Sequence, residues 1–321
     1  MFILKKTKFF LGLISQIKNY YRCNSLSAWN KKFLVIAMIL LFPIMSYADS
    51  GGTFGAGFEN IGHTAFISAG RAIIKNGIEA LHYNPALAAA DKNAKVCISA
   101  TVSKLYNEFD GIKYSEFDMI YPYSNIDWAL SYSALNVDDL REANSIGLTG
   151  STFDAKYELL KFGVSKSYKN NVRYGISSDY YRTAISSYSL TNLTLNIGGS
   201  YKKNNFQING LLQNIFSTSS TAVKESEKMP LNVEITGQYE IMEYIILGAA
   251  LNKKKDCNLN LRFGIECRIF PALSVSAGYI SSSKLPSFGI SAELSKIRCH
   301  YGLTKHKDLD ISHRISVDAV F

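Results

Sequence analysis

Three features of this 321-residue chain predict an all-β fold closed into a transmembrane antiparallel β-barrel of about fourteen strands, with a short helical plug segment ahead of it. The first is the closing stretch Ile311–Phe321. Ile311, His313, Ile315, Val317, Ala319 and Phe321 alternate with Ser312, Arg314, Ser316 and Asp318. A strand has period two, so one face is largely apolar and the other carries an arginine and an aspartate. The second is that the same alternation persists from about residue 94 to the end. The third is an even strand count with tight connections at one end and longer ones at the other, the arrangement of outer-membrane barrels.

The amino terminus comes first in order. Lys31 and Lys32 precede a thirteen-residue apolar run, Phe33 to Met45, and then Ser46-Tyr47-Ala48 stands ahead of Asp49. This reads as the basic region, apolar core and small-x-small cleavage site of an export signal. The run is too short for a membrane-spanning helix, which needs about 20 apolar residues. Residues 1–48 are therefore assigned to a signal peptide, with an extended or mis-assigned start upstream of Lys31, and cleavage delivers the chain toward the outer membrane. They hold seven of the 35 basic residues and none of the 26 acidic ones, leaving 28 against 26 in the remainder. The basic balance of the whole chain thus belongs to the leader and gives no support for nucleic-acid binding.

Residues 49–93 form the predicted plug. A glycine-rich stretch, Gly51 to Gly57, is followed by an Ala-, Ile- and Leu-rich segment from Ala65 to Ala90, the one helix-like stretch after the leader. Asn84-Pro85 interrupts it, because proline disfavours αR in the residue before it. Two short helices joined by turns are expected. In the first, Arg71, Lys75 and Glu79 would share a face at i, i+4 and i+8.

Residues 94–321 form the barrel. Alternation places the strands near 94–105, 113–124, 126–136, 152–168, 171–181, 187–202, 205–216, 230–240, 243–252, 257–270, 272–281, 286–295, 297–304 and 311–321. The longest regular stretch sets Leu259, Leu261, Phe263, Ile265, Cys267 and Ile269 against Asn258, Asn260, Arg262, Gly264, Glu266 and Arg268. An arginine facing lipid at the midplane costs about 2–4 kcal/mol, so the arginine face belongs inside. The expected long connections are 106–112, 137–151, 217–229 and 305–310.

The charged residues expected to face the lumen are Arg262, Glu266, Arg268, Glu293, Arg298, His300, Arg314 and Asp318. They read either as a wall that holds the plug and steers a solute, or as ion pairs satisfying one another in a wet barrel. Cys97, Cys257, Cys267 and Cys299 include no CxxC pair, and disulfides among them stay open. The five histidines show neither HxxxH nor HExxH spacing, so no metal site is expected, and no cofactor. No GxSxG elbow is present. The expectation is a non-enzyme, with an outer-membrane lipase or a purely structural barrel as competing readings.

Several segments resemble a known family. Gly70-Arg71-Ala72, followed by Leu81-His82-Tyr83-Asn84-Pro85-Ala86-Leu87, is similar to the amino-terminal signature of the PorV/PorQ outer-membrane proteins. That family is related to FadL-type hydrocarbon transporters, which carry a similar Asn-Pro-Ala segment. Phe263-Gly264-Ile265-Glu266-Cys267, Ala277-Gly278-Tyr279 and the ending Ser312-His313-Arg314-Ile315-Ser316 with Phe321 resemble the family's late strands. The glycine usual after Asn-Pro-Ala is Leu87 here, and Ile73-Ile74-Lys75-Asn76 replaces a Met-Gly-Gly run. The resemblance implies a plug motif of Gly70, Arg71, Asn84, Pro85 and Ala86. It implies either a component of a protein-secretion machinery or a channel for hydrophobic small molecules. The expected partners are outer-membrane lipid, the barrel-assembly machinery, for which Phe321 is the signal, and secretion proteins or an apolar solute.

Overall fold

The computed structural model describes residues 62–91, 93–106, 111–144, 147–169, 171–221, 229–306 and 310–321. The expected signal peptide and the Gly51–Gly57 stretch lie outside the described residues. Fourteen strands follow one another: β1 (Cys97–Lys104), β2 (Ile112–Tyr123), β3 (Ile126–Asn144), β4 (Gly147–Tyr168), β5 (Val172–Ile185), β6 (Tyr188–Lys203), β7 (Phe206–Thr221), β8 (Asn232–Met242), β9 (Ile245–Lys254), β10 (Asn260–Phe270), β11 (Leu273–Ile280), β12 (Leu285–Leu294), β13 (Ile297–Lys305) and β14 (Ile311–Val320). Each pairs antiparallel with its sequence neighbours, and β1 pairs with β14, Cys97 opposite Val320 and Lys104 opposite His313. The sheet is closed, so the ladder has no edge and satisfies its backbone groups without water, as a bilayer requires.

The side-chain pattern inverts that of a soluble protein. Val102, Phe117, Leu160, Phe162, Ile197, Phe263, Phe288 and Ile315 project outward and are exposed. Ser99, Ser131, Ser133, Lys161, Asp179, Asn192, Asn196 and Arg262 project inward and are buried. Apolar-out and polar-in over most of the wall suits lipid outside and a packed, largely polar interior. Exposed aromatics gather where the even-numbered strands turn into the next: Tyr121, Tyr123, Trp128, Tyr168, Tyr174, Phe206, Tyr239, Tyr244 and Phe270. Amphipathic rings favour the headgroup level of a membrane, and this girdle marks one boundary of the lipid band. The turns at that end are tight. Ser124, Lys169, Asn204 and Ser295 adopt positive φ of 48–58°, the left-handed backbone that two-residue hairpins demand.

Every expected strand is present, but two hairpins run further than the alternation indicates, and β7 continues to Thr221, paired with Leu190, into the connection expected at 217–229. Residues 137–151, read as an external loop, continue the β3–β4 ladder to Asn144 opposite Gly147, with register shifts after Val137 and Arg141. β5 and β6 likewise pair up to Ile185 opposite Tyr188. Beyond the lipid band both faces meet water, so nothing selects alternation there, while the backbone ladder goes on. Cys97, Cys257, Cys267 and Cys299 are all free thiols.

Candidate functional site

The segment preceding β1 lies inside the barrel, against inward-facing residues of strands around the wall. Among the described residues it contains one five-residue helix, α1 (Thr64–Ser68), and two one-turn 3₁₀ segments, Ile78–Ala80 and Pro85–Leu87. The two helices expected over Ala65–Ala90 are thus reduced to single turns. A five-residue helix is below the length at which helices persist unaided, and Gly70, Gly77 and Pro85 punctuate the rest. Residues 72–77 are not helical, so the shared face expected for Arg71, Lys75 and Glu79 does not form. Their targets differ instead. The Arg71 guanidinium lies 6.0 Å from the centroid of the Tyr83 ring, and Lys75 is ion-paired with Glu266 of the wall.

The motif residues shape this path. Gly70 and Arg71 both adopt left-handed backbone, with φ of 65° and 57°, and turn the chain sharply after α1. The Asn84 side chain caps the second 3₁₀ turn, its Oδ1 accepting from the Ala86 amide at 3.0 Å and its Nδ2 donating to the Gly210 carbonyl at 3.3 Å. Pro85 sits at the first position of that turn, where a missing N–H costs nothing.

Glycines in the wall make room for the plug. A Cβ on Gly248, Gly264 or Gly278, in adjacent strands β9, β10 and β11, would land well under 3 Å from backbone atoms of Ala69, Gly70 or Ala72. Gly175 and Gly198, paired across β5 and β6, make room in turn for the Pro85 backbone and the Asn84 side chain. The wall also supplies hydrogen bonds that the irregular plug backbone cannot make internally. Lys161 Nζ donates to the His82 carbonyl at 2.9 Å, Arg173 Nε to Ala86 at 2.9 Å, and Ser287 Oγ to Ser68 at 3.1 Å. The Ile74 amide donates to Gln238 Oε1 at 3.0 Å, and the Thr64 amide to Ser316 Oγ at 3.1 Å. The plug's apolar side chains cover one another: Phe66, Ile74, Ala80, Tyr83 and Leu87 form one cluster, while Ile78 and Leu81 pack on Cys97, Ile120 and Ala129 of the wall.

Seven of the eight charged positions expected inside lie in pairs, hydrogen bonds or contact with the plug region. Arg262 bonds Glu234 at 2.9 Å, and Glu266 takes Lys75. Arg298 pairs with Asp91 and lies 3.7 Å from Glu293. His300 and His63 both bond the Asp318 carboxylate, at 3.1 and 3.0 Å, and Arg314 donates to Thr304 Oγ1 at 3.2 Å. Arg268 lines a cavity with Glu266 and Glu293 at the tight-turn end. Sequence reading did not include the fully buried Lys161–Asp179 pair, at 3.2 Å across β4 and β5, or Arg173, which bonds Asp127 at 2.9 Å. Their polar phase in alternating strands was the available signal. His82, in the plug, lies 3.7 Å from Glu116. Burial pulls its imidazole down to about 4 despite that carboxylate, so the ring is neutral at ordinary pH.

The plug divides the lumen. At the tight-turn end a cavity of about 240 Å³ is bordered by Phe66, Lys75, Glu79, Asp91, Arg268 and Arg298. At the long-loop end a cleft with room for about one water is bordered by Ile67, Arg71, Tyr106, His306 and Arg314. Beside it the inward face changes character. Leu105, Tyr114 and Leu135 form one buried apolar cluster, and Leu159, Tyr181, Leu190 and Met229 another, with Tyr157 packed against both.

No family model matches the sequence, and neither does any curated protein. Solved structures match in fold. The Pseudomonas putida toluene transporter TodX aligns with a TM-score of 0.58 at 10% identity, over 82% of this chain and 98% of that one. A Pseudomonas aeruginosa FadL homologue aligns with a TM-score of 0.52 at 11% identity, over 86% of this chain and 99% of the other. A deltaS2 mutant of the TodX monoaromatic hydrocarbon channel gives 0.53 at 11% identity. At these identities the likeness establishes a shared fold, that of a closed β-barrel.

Proposed function

We propose that this protein is an outer-membrane transport barrel that admits small hydrophobic molecules, with residues 63–90 as its plug. The observation that carries the reading is the pair of apolar clusters on the inward face at the long-loop end, built on Leu159, Tyr181 and Leu190 and on Leu105, Tyr114 and Leu135. Elsewhere that face is mostly Ser, Thr, Asn, Gln and charged residues, with apolar positions such as Ile120 and Ala129 covered by the plug. A barrel passing only water-soluble solutes has no use for a greasy inner surface at its mouth, whereas an apolar solute leaving water is stabilised there by burial, roughly 25 cal/mol per Å². The likeness to TodX, a toluene transporter, supports the same class of solute.

Cells carrying this barrel as their sole added outer-membrane channel are expected to take up a monoaromatic hydrocarbon such as toluene several-fold faster than cells without it. Tyr181→Asn and Leu159→Asn should remove most of the gain. Uptake equal to that of control cells at matched membrane levels contradicts the proposal. The resemblance of Gly70-Arg71-Ala72 and Asn84-Pro85-Ala86 to the PorV/PorQ signature supports a second reading, a membrane component of protein secretion. Lost export of secreted proteins in a deletion strain, with hydrocarbon uptake unchanged, would favour it.

A further inference from the structure

The carboxylate of Asp318 is held differently from several others inside the barrel. Asp179, Glu234 and Asp91 each face a permanent cation, from Lys161, Arg262 and Arg298. Asp318 faces two imidazoles. His63, at the start of the plug, approaches one carboxylate oxygen with Nε2 at 3.0 Å, and His300 of β13 approaches the other with Nε2 at 3.1 Å. The rings stand 5.0 Å apart at 72°, and one ligand atom from each of the three residues lies within 4.8 Å of the others. All three side chains are buried.

We propose that His63, His300 and Asp318 bind a divalent transition-metal ion of the zinc class, which fastens the plug to the two strands that close the barrel. The donor set is two imidazole nitrogens and a carboxylate oxygen, the ligands zinc takes in three-residue sites. Tetrahedral bonds of about 2.0–2.2 Å place neighbouring ligand atoms roughly 3.3 Å apart, and each imidazole nitrogen already sits near that distance from its own oxygen of the Asp318 carboxylate, with one atom from each residue within 4.8 Å of the others. The surroundings orient the ligands. His300 Nδ1 is bonded to Ser291 Oγ at 2.8 Å, which turns Nε2 inward, as the outer partners of metal-bound histidines do. His63 Nδ1 accepts the Ala65 amide at 3.3 Å, a long bond that gives way when metal on Nε2 moves the ring proton to Nδ1. Ser291 and His300 both border the cavity at the tight-turn end, which gives the ion an entry route and leaves a position for a water as fourth ligand. The spacing rules of local motifs exclude such a site, because its ligands come from the plug, β13 and β14 and meet only when the barrel closes on the plug.

The test uses the full chain, extracted in detergent, stripped with a chelator and confirmed folded by heat-modifiable gel migration. Titration with Zn²⁺ against a chromophoric competitor is expected to show one ion per chain, with a Kd on the order of 1 μM or tighter. Co²⁺ in its place is expected to give the intense visible bands of a four-coordinate site. His300→Gln and His63→Gln should each weaken binding by about 10-fold or more. His313→Gln, on the outer face beside Tyr301, should leave it unchanged. Folded wild-type protein that takes up neither ion stoichiometrically overturns the proposal, as does His63→Gln binding as tightly as wild type. Should a variant fail to fold, the cobalt spectrum of the wild-type protein decides alone.

Discussion

Replacing Gly278 by alanine is expected to lower the stability of the folded barrel by about 1–3 kcal/mol and to loosen the plug, the usual cost of forcing extra volume into a packed site. The added Cβ would fall under 3 Å from the amide and Cα of Gly70 and the carbonyl carbon of Ala69. These are backbone atoms and have no rotamer to escape into. Gly70 is itself unable to yield, since its φ of 65° and its closeness to the Phe263 carbonyl leave no alternative path. Gly199→Ala, where nothing lies within 4 Å of the added carbon, is the matched control and should change stability by no more than about 0.5 kcal/mol. Denaturant unfolding in detergent, with protease sensitivity of the plug read in parallel, measures both. Equal effects at the two glycines would mean that the plug does not rest on the wall.

A larger loss is expected from Asp179→Leu, about 3–5 kcal/mol, because it leaves the Lys161 ammonium buried with only the His82 carbonyl as partner. Lys161 is 2% exposed and Asp179 is fully covered, so neither has water to fall back on. The double change Lys161→Met with Asp179→Leu should recover most of the loss, since well-packed apolar residues often replace a buried pair at little cost. The same unfolding experiment reads it. A silent single variant would show that the interior at this point is wet.

Much of the barrel was legible because a lipid-facing strand must alternate. Leu261, Arg262 and Phe263 cannot exchange faces without placing a guanidinium in hydrocarbon, so composition alone assigns them. The hairpin ends at 137–151 were not legible, since water on both faces imposes no pattern. The charged set of the last five strands was visible by the same phase argument. Its partners were not: Asp91, Lys75 and His63 come from a segment whose path depends on Gly70 and Arg71 turning left-handed and on glycines supplied by eight separate strands. Arg71, Lys75 and Glu79 show the limit. Their spacing suits a helix, but a helix needs several uninterrupted turns, and Gly70, Gly77 and Pro85 leave none. Long-range convergence, such as that of His63 with Asp318, has no local sequence signal.

The seating of residues 63–90 inside the closed barrel is tested most directly by cross-linking. Ser68 Oγ of α1 and Ser276 Oγ of β11 lie 2.9 Å apart, close enough for cysteines at both positions to form a disulfide with small adjustment. With the five native cysteines replaced by serine, Ser68→Cys/Ser276→Cys assembled in native membranes should oxidise nearly completely and show a migration change reversed by reductant. Free thiols at both positions in folded, membrane-inserted protein would contradict the plugged barrel.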